Sequence, residues 1–178
     1  KLILRQKGRL CMSYIPLGLF ALLIAVADQI SKYFVVKHIP YGGFVPLWDG
    51  VLHLTYVQNN GAAFSVFEGQ RWLFIVVFVV FVALLIWGMH KKVLPFSRFE
   101  LWCLAAALGG GLGNIIDRVF RGYVVDLFAT DFIQFPVFNV ADCFITCGAI
   151  GLLVHLAFWN RSFWRDDKKM EKRHDSDV

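Results

Sequence analysis

GGGLGNIIDRVFRGYVVDLFATDFIQFPVFNVAD, Gly109 to Asp142, places four of the chain's thirteen acidic residues, Asp117, Asp126, Asp131 and Asp142, between two apolar runs. Read as membrane sequence, the stretch is the end of one span, a polar connection and the start of the next. Carboxylates beside such spans cost about 2–4 kcal/mol each at the bilayer midplane, and less towards the interface. A chain this apolar keeps them for a use, and Asp126 and Asp142 are read here as a catalytic aspartyl pair.

The surrounding sequence supports the membrane reading. Of 178 residues 58% are hydrophobic, 18 are Phe and 6 are Trp, and mean hydropathy is +0.60. These values leave the soluble range and suit a single integral-membrane domain. A net charge of +5 would suggest nucleic acid in a soluble protein. Here the basic residues sit in tails and short loops, where a membrane-orientation signal accounts for them, so no nucleic-acid partner is expected. Cys11, Cys103, Cys143 and Cys147 follow no metal or disulfide spacing and read as small buried hydrophobes.

Taken in order, residues 1–13 are basic, with Met12 just before the first apolar run. That run, 14–36, is too long for a signal peptide's core and is span one. Asp28 and Lys32 lie four apart on one face of it and can pair. From Lys37 to Gln70 the texture turns polar and aromatic. VLHLTYV (Val51 to Val57) and Asn59-Asn60-Gly61 predict a small β-structure at the interface. Span two is 72–89, almost wholly Val, Phe, Leu and Ile. Span three is 99–119, where Gly109 and Gly113 form a small-xxx-small pattern that admits a neighbouring backbone. Residues 120–137 are too polar to cross and read as a connection. Span four is 138–159, and 160–178 reads as a charged cytoplasmic tail.

The fold expected is therefore all-α: four transmembrane helices, a small extracytoplasmic β-structure between spans one and two, and a connecting lid segment between spans three and four. Four spans put both termini on one side. Thirteen of the eighteen Lys and Arg fall in the two tails and the 91–98 loop, so that side is cytoplasmic. Asp28 then lies roughly 12 Å inside the outer end of span one. Asn114, Asp117 and Arg118 close span three at the outer face, and Asn139 and Asp142 open span four there. The polar residues meet near the outer interface.

No zinc spacing, GxSxG or Cys–His pair accompanies them, and neither metal nor cofactor is expected. The histidines (His38, His53, His90, His155, His174) are scattered and read as structural. Carboxylate chemistry remains. Two close aspartates share one proton near neutral pH. The ionised partner can take a proton from water while the other donates to a carbonyl oxygen.

DQISK (Asp28 to Lys32), NNGAAF (Asn59 to Phe64), GNIIDR (Gly113 to Arg118), VVD (Val124 to Asp126) and FNVAD (Phe138 to Asp142), in this order, closely resemble the lipoprotein signal peptidases, or signal peptidase II. The resemblance implies an aspartic endopeptidase of the bacterial cytoplasmic (inner) membrane. Such an enzyme removes signal peptides from prolipoproteins before a diacylglyceryl-modified cysteine. It also implies globomycin-type inhibitors, membrane lipids as surroundings and an active site near the outer face; a monomer is expected. By motif, Asp126 and Asp142 are the catalytic pair. Asn139, Asn114, Arg118, Asn59 and Gly113 are carried over as substrate-binding or supporting positions. Asp28 and Lys32 are either a structural ion pair or a substrate contact. Asp117 beside Arg118 reads as a locally hydrogen-bonded helix end, and GAAF as small packing residues. Leu127 stands where the family commonly has Phe, and Cys143 where Ser or Ala is usual. Tyr123, Phe128 and the Gly122 hinge suit a mobile lid. The competing class is a proton- or ion-coupled carrier using the same carboxylates; a structural assembly subunit would leave them without a reason.

Overall fold

The computed structural model describes residues 2–61, 69–91 and 93–160, with side chains from Tyr14 onward. The GAAF residues 62–64, Lys92 and the tail 161–178 lie outside the described residues. Among the described residues, four helices carry spans long and apolar enough to cross a membrane: Tyr14–His38, Arg71–Lys91, Arg98–Phe120 and Val140–Phe158. Apart from Tyr14, which lies inside a longer helix, their ends fall within two residues of the expected limits. The first span belongs to a longer helix, α1, Leu2–His38, followed by α2 (Arg71–Lys91), α3 (Arg98–Phe120) and α4 (Val140–Phe158).

α3 is the centre of the bundle, packed most extensively against α4 and α1, while α2 stands apart and meets chiefly α3. Glycines explain the tight contacts. A Cβ on Gly109 would come 2.6 Å from the carbonyl oxygen of Ala21, and one on Gly113 would come 2.5 Å from Asp28 Oδ2. The small-xxx-small pair thus lets α3 touch the backbone of α1 and the carboxylate of Asp28. Gly113→Ala is expected to destabilise the protein by about 1–3 kcal/mol through overpacking, read as a lower thermal unfolding midpoint in detergent. An unchanged midpoint would show that the contact gives way freely.

A three-stranded antiparallel sheet in the order β1-β2-β3 lies at one end of the bundle. β1 (Val45–Trp48) and β2 (Leu52–Asn59) come from the α1–α2 connection; β3 (Val124–Thr130) comes from the α3–α4 connection. The β-structure expected between spans one and two thus gains a third strand from the segment that connects spans three and four. Residues 124–130 are a strand, with Val125 and Leu127 buried against Val35, Ile39 and Tyr56. The run VVDLFA lacks alternation because both of its faces are covered. The lid residues are also held: Tyr123 Oη lies 3.2 Å from Tyr56 Oη, and the Phe128 backbone pairs with Phe138. Gly122, with φ +85°, terminates α3 in the left-handed conformation that glycine adopts without cost.

At the opposite end, Glu100 is fully buried. Its carboxylate accepts from Ser97 N at 2.6 Å and Asn160 Nδ2 at 2.8 Å, and lies 2.8 Å from His155 Nδ1. It ties the start of α3 to the end of α4. Sequence reasoning passed over Glu100 and Asn160, although Ser97-x-x-Glu100 is a capping box.

Candidate active site

Asp126 sits in the middle of β3. In the β2–β3 ladder Val57 faces Asp126 and Asn59 faces Val124, which makes Asn59 and Asp126 diagonal neighbours on one face. Asn59 Nδ2 donates to Asp126 Oδ2 at 2.8 Å. Asn139 Nδ2 donates to the other oxygen, Oδ1, at 2.6 Å.

Asp142 is held differently. Asn139 is the N-cap of α4, and its Oδ1 accepts from Asp142 N at 2.9 Å. Asp142 Oδ2 in turn accepts from Asn139 N at 3.1 Å. FNVAD is therefore a capping box, with the carboxylate at the third helical position, where the helix dipole favours negative charge. Asn139 falls inside the expected span four, 138–159, but lies just before the helix as its cap. The remaining oxygen, Asp142 Oδ1, accepts from Asn114 Nδ2 at 2.8 Å. Asn139 Nδ2 is also 3.2 Å from Asn114 Oδ1, so three asparagines cradle the two aspartates. Asn139 touches both.

Behind the asparagines lies a charged cluster. Lys32 is fully buried and its Nζ reaches Asp28 Oδ2 at 2.7 Å, Asp117 Oδ2 at 2.9 Å and Asn114 Oδ1 at 2.9 Å. Asp28 Oδ1 accepts from Ala141 N at 2.9 Å, tying α1 to the first turn of α4. Asp117 Oδ2 accepts from Val125 N at 3.1 Å, and Oδ1 pairs with Arg121 Nη1 at 2.5 Å. Asp117 is thus a bracing group, but its cationic partners are Lys32 and Arg121. Arg118 turns away, donating to Gly61 O at 3.0 Å with its guanidinium 4.3 Å from the centre of the Phe74 ring. Sequence reasoning missed Arg121 and Gln29, whose Nε2 reaches Gly113 O at 3.1 Å and Asp117 Oδ1 at 3.2 Å.

Both aspartates line one cavity of about 1040 Å³, together with Asn59, Asn114 and Arg118. Its apolar walls come from α2 (Phe74, Phe78, Phe81) and α4 (Ile145), across the gap left by the outlying α2. Asp28, Lys32 and Asp117 do not line it. Cys143 and Cys147 do, and both are exposed. The expectation that they are buried fails because they border this open cavity. Burial pushes the Asp126 carboxyl up to about 6; hydrogen bonds from Asn59 and Asn139 oppose this and the nearby charge of Asp142 reinforces it.

A multi-pass bundle with two hydrogen-bonded carboxylates at the head of a largely apolar cavity is an arrangement suited to a membrane-embedded enzyme. The fold agrees. The chain superposes with a TM-score of 0.74 on a bacterial membrane enzyme solved by the in meso method at 2.3 Å resolution, at 29% identity, covering 81% of this chain and 89% of that one. A second structure of the same description, solved at 1.9 Å, gives a TM-score of 0.73, at 29% identity, covering 83% of this chain and 96% of that one. Residues 20–158 match the signal peptidase (SPase) II family, and the chain belongs to that family. The lipoprotein signal peptidase of Streptococcus pyogenes serotype M1 is 39% identical over 138 residues, 76% of this chain and 88% of the relative. That of Lactococcus lactis subsp. lactis is 40% identical over 129 residues, 72% and 85% respectively. The chain is a multi-pass membrane protein of a bacterial peptidase family, and the carrier reading is not favoured.

Proposed function

We propose that this protein removes signal peptides from bacterial prolipoproteins, cutting before a diacylglyceryl-modified cysteine, with Asp126 and Asp142 as the catalytic pair. The observation that carries the reading is the shared cavity: two carboxylates held by one asparagine at the end of an apolar chamber. The lipid chains of the substrate occupy the chamber, and the scissile bond lies across the aspartates. The sheet and the paired aspartates face outward from the bacterial inner membrane, and the termini face the cytoplasm.

Asp126, the more buried carboxyl, carries the shared proton. Asp142 takes a proton from water, whose oxygen attacks the carbonyl carbon, while Asp126 donates its proton to the carbonyl oxygen. A tetrahedral diol results. Collapse of the diol returns a proton to Asp126, Asp142 passes its proton to the leaving nitrogen, and the C–N bond breaks. The signal peptide leaves with a carboxylate and the lipoprotein with a free amine on its lipidated cysteine. Asn139, Asn59 and Asn114 are positioning residues that aim the carboxylates.

The test is purified protein acting on a diacylglyceryl-modified substrate and on its unmodified counterpart. Cleavage confined to the lipidated substrate is expected; equal cleavage of both would remove the role given to the chamber. The pH profile follows from the proton. Asp126 must be protonated to act as the acid, so kcat/KM for the free enzyme is expected to fall as pH rises through about 6. Water expelled by bound substrate further disfavours the charged form, so the corresponding limb in kcat moves to higher pH. A kcat/KM that instead rises steadily through this range would show that Asp126 is not the acid.

A further inference from the structure

A second cavity, of about 520 Å³, lies between α1 and α3. Leu112 and Ile116 form its α3 wall, on a different face of that helix from Asn114, Ile115 and Arg118, which line the first. Along α1 the wall is Leu22, Val26, Ile30 and Phe34, one residue every four and all exposed. Ala25 lines the groove between them. From Leu22 to Phe34 it runs about 18 Å at 1.5 Å per residue, close to the roughly 15 Å of hydrocarbon in one leaflet.

Its outer end is not apolar. Tyr33 lines it, and one turn further out the exposed Lys37 holds Nζ 5.6 Å from the centre of the Tyr33 ring. A tyrosine and a snorkelling lysine at the mouth of a leaflet-length groove suit an anionic headgroup at the interface. The floor touches the bracing cluster: Gln29 lines the groove and bonds Gly113 O and Asp117.

We propose that this groove binds an anionic phospholipid of the outer leaflet, its acyl chain lying along α1 and its phosphate on Lys37. The occupant covers Gln29 and so steadies the α1–α3 contact beneath the charged cluster. Binding is read without cleavage, so its failure is distinguishable from failure of the peptidase reading.

The experiment is native mass spectrometry of the detergent-solubilised full chain with phosphatidylglycerol or phosphatidylcholine of equal chain length. Thermal unfolding is followed in parallel. Phosphatidylglycerol is expected to be retained about fivefold over phosphatidylcholine, the effect of one lysine near an anionic surface, and to raise the unfolding midpoint more. Lys37→Ala should bring the two lipids level. Ile30→Trp, which fills the groove from an exposed position, should reduce retention of both. Equal retention of the two lipids by the unaltered protein would overturn the proposal, as would a preference that survives both substitutions. Displacement of phosphatidylglycerol by the lipidated substrate would overturn it too, since the groove would then belong to the substrate.

Discussion

Replacing either Asp126 or Asp142 with Asn is expected to lower cleavage of a lipidated prolipoprotein on the order of 10³-fold while leaving the fold intact. General acid–base catalysis by one group contributes about 10²–10⁴-fold, and the two carboxylates act on the same water and carbonyl, so the double variant should lose little more than either alone. The hydrogen bonds around both residues are the reason to expect an intact fold. Both oxygens of Asp126 accept from amide groups, those of Asn59 and Asn139. An Asn at 126 therefore loses one acceptor and requires one amide to turn. At 142 the capping contact with Asn139 N can be made by an amide oxygen, while the contact with Asn114 Nδ2 is lost. The substitution removes the charge near the N-terminus of α4, worth about 0.3–1 kcal/mol at most positions, far below the catalytic effect. The rate and the thermal midpoint should be measured on the same preparations. A variant that folds normally and retains more than a tenth of the rate would sink the role of that aspartate.

The spans were legible because length and hydropathy alone define them, and the five short motifs placed Asp126, Asp142 and their asparagines at one end of the bundle. What escaped was whatever depends on a partner distant in sequence. β3 reads as a loop because Asp126 interrupts an apolar run and both strand faces are covered, so the period-two signal is absent. Asn139 and Asp142 were placed together at the start of span four, but the reciprocal cap that their three-residue spacing makes was not read. Asp117 invites pairing with its neighbour Arg118, whereas helix geometry places Arg121, four residues on, against it. Lys32 could be paired with Asp28 from sequence, since both lie on one helix. Its second carboxylate, on α3, could not be found that way. In a bilayer, finally, apolarity does not separate core positions from those that border a cavity or lipid, and Cys143 and Cys147 border the cavity.

That second carboxylate makes Lys32→Met the substitution expected to cost the most stability, about 3–5 kcal/mol, the usual consequence of removing one partner from a buried ion pair. The Lys32 ammonium lies between Asp28 and Asp117, all three at most 1% exposed. Arg121 would remain to offset Asp117, but the described residues offer Asp28 no second cation, only Ala141 N and Gln29 Nε2. A methionine fills similar volume, so the loss reports charge rather than a void. Asn114 loses its ammonium partner as well, and through Asn114 the disturbance reaches Asp142. Cleavage should therefore fall along with the unfolding midpoint. Adding Asp28→Asn to Lys32→Met removes the stranded charge, while its amide oxygen can still accept from Ala141 N. The double variant is expected to recover a substantial part of the midpoint, and the difference from additivity measures the pair. Because the pair is buried, raising the salt concentration should leave the wild-type contribution nearly unchanged. A stability for Lys32→Met within about 1 kcal/mol of wild type, the range of exposed ion pairs, would show that the cluster is not holding α1, α3 and α4 together.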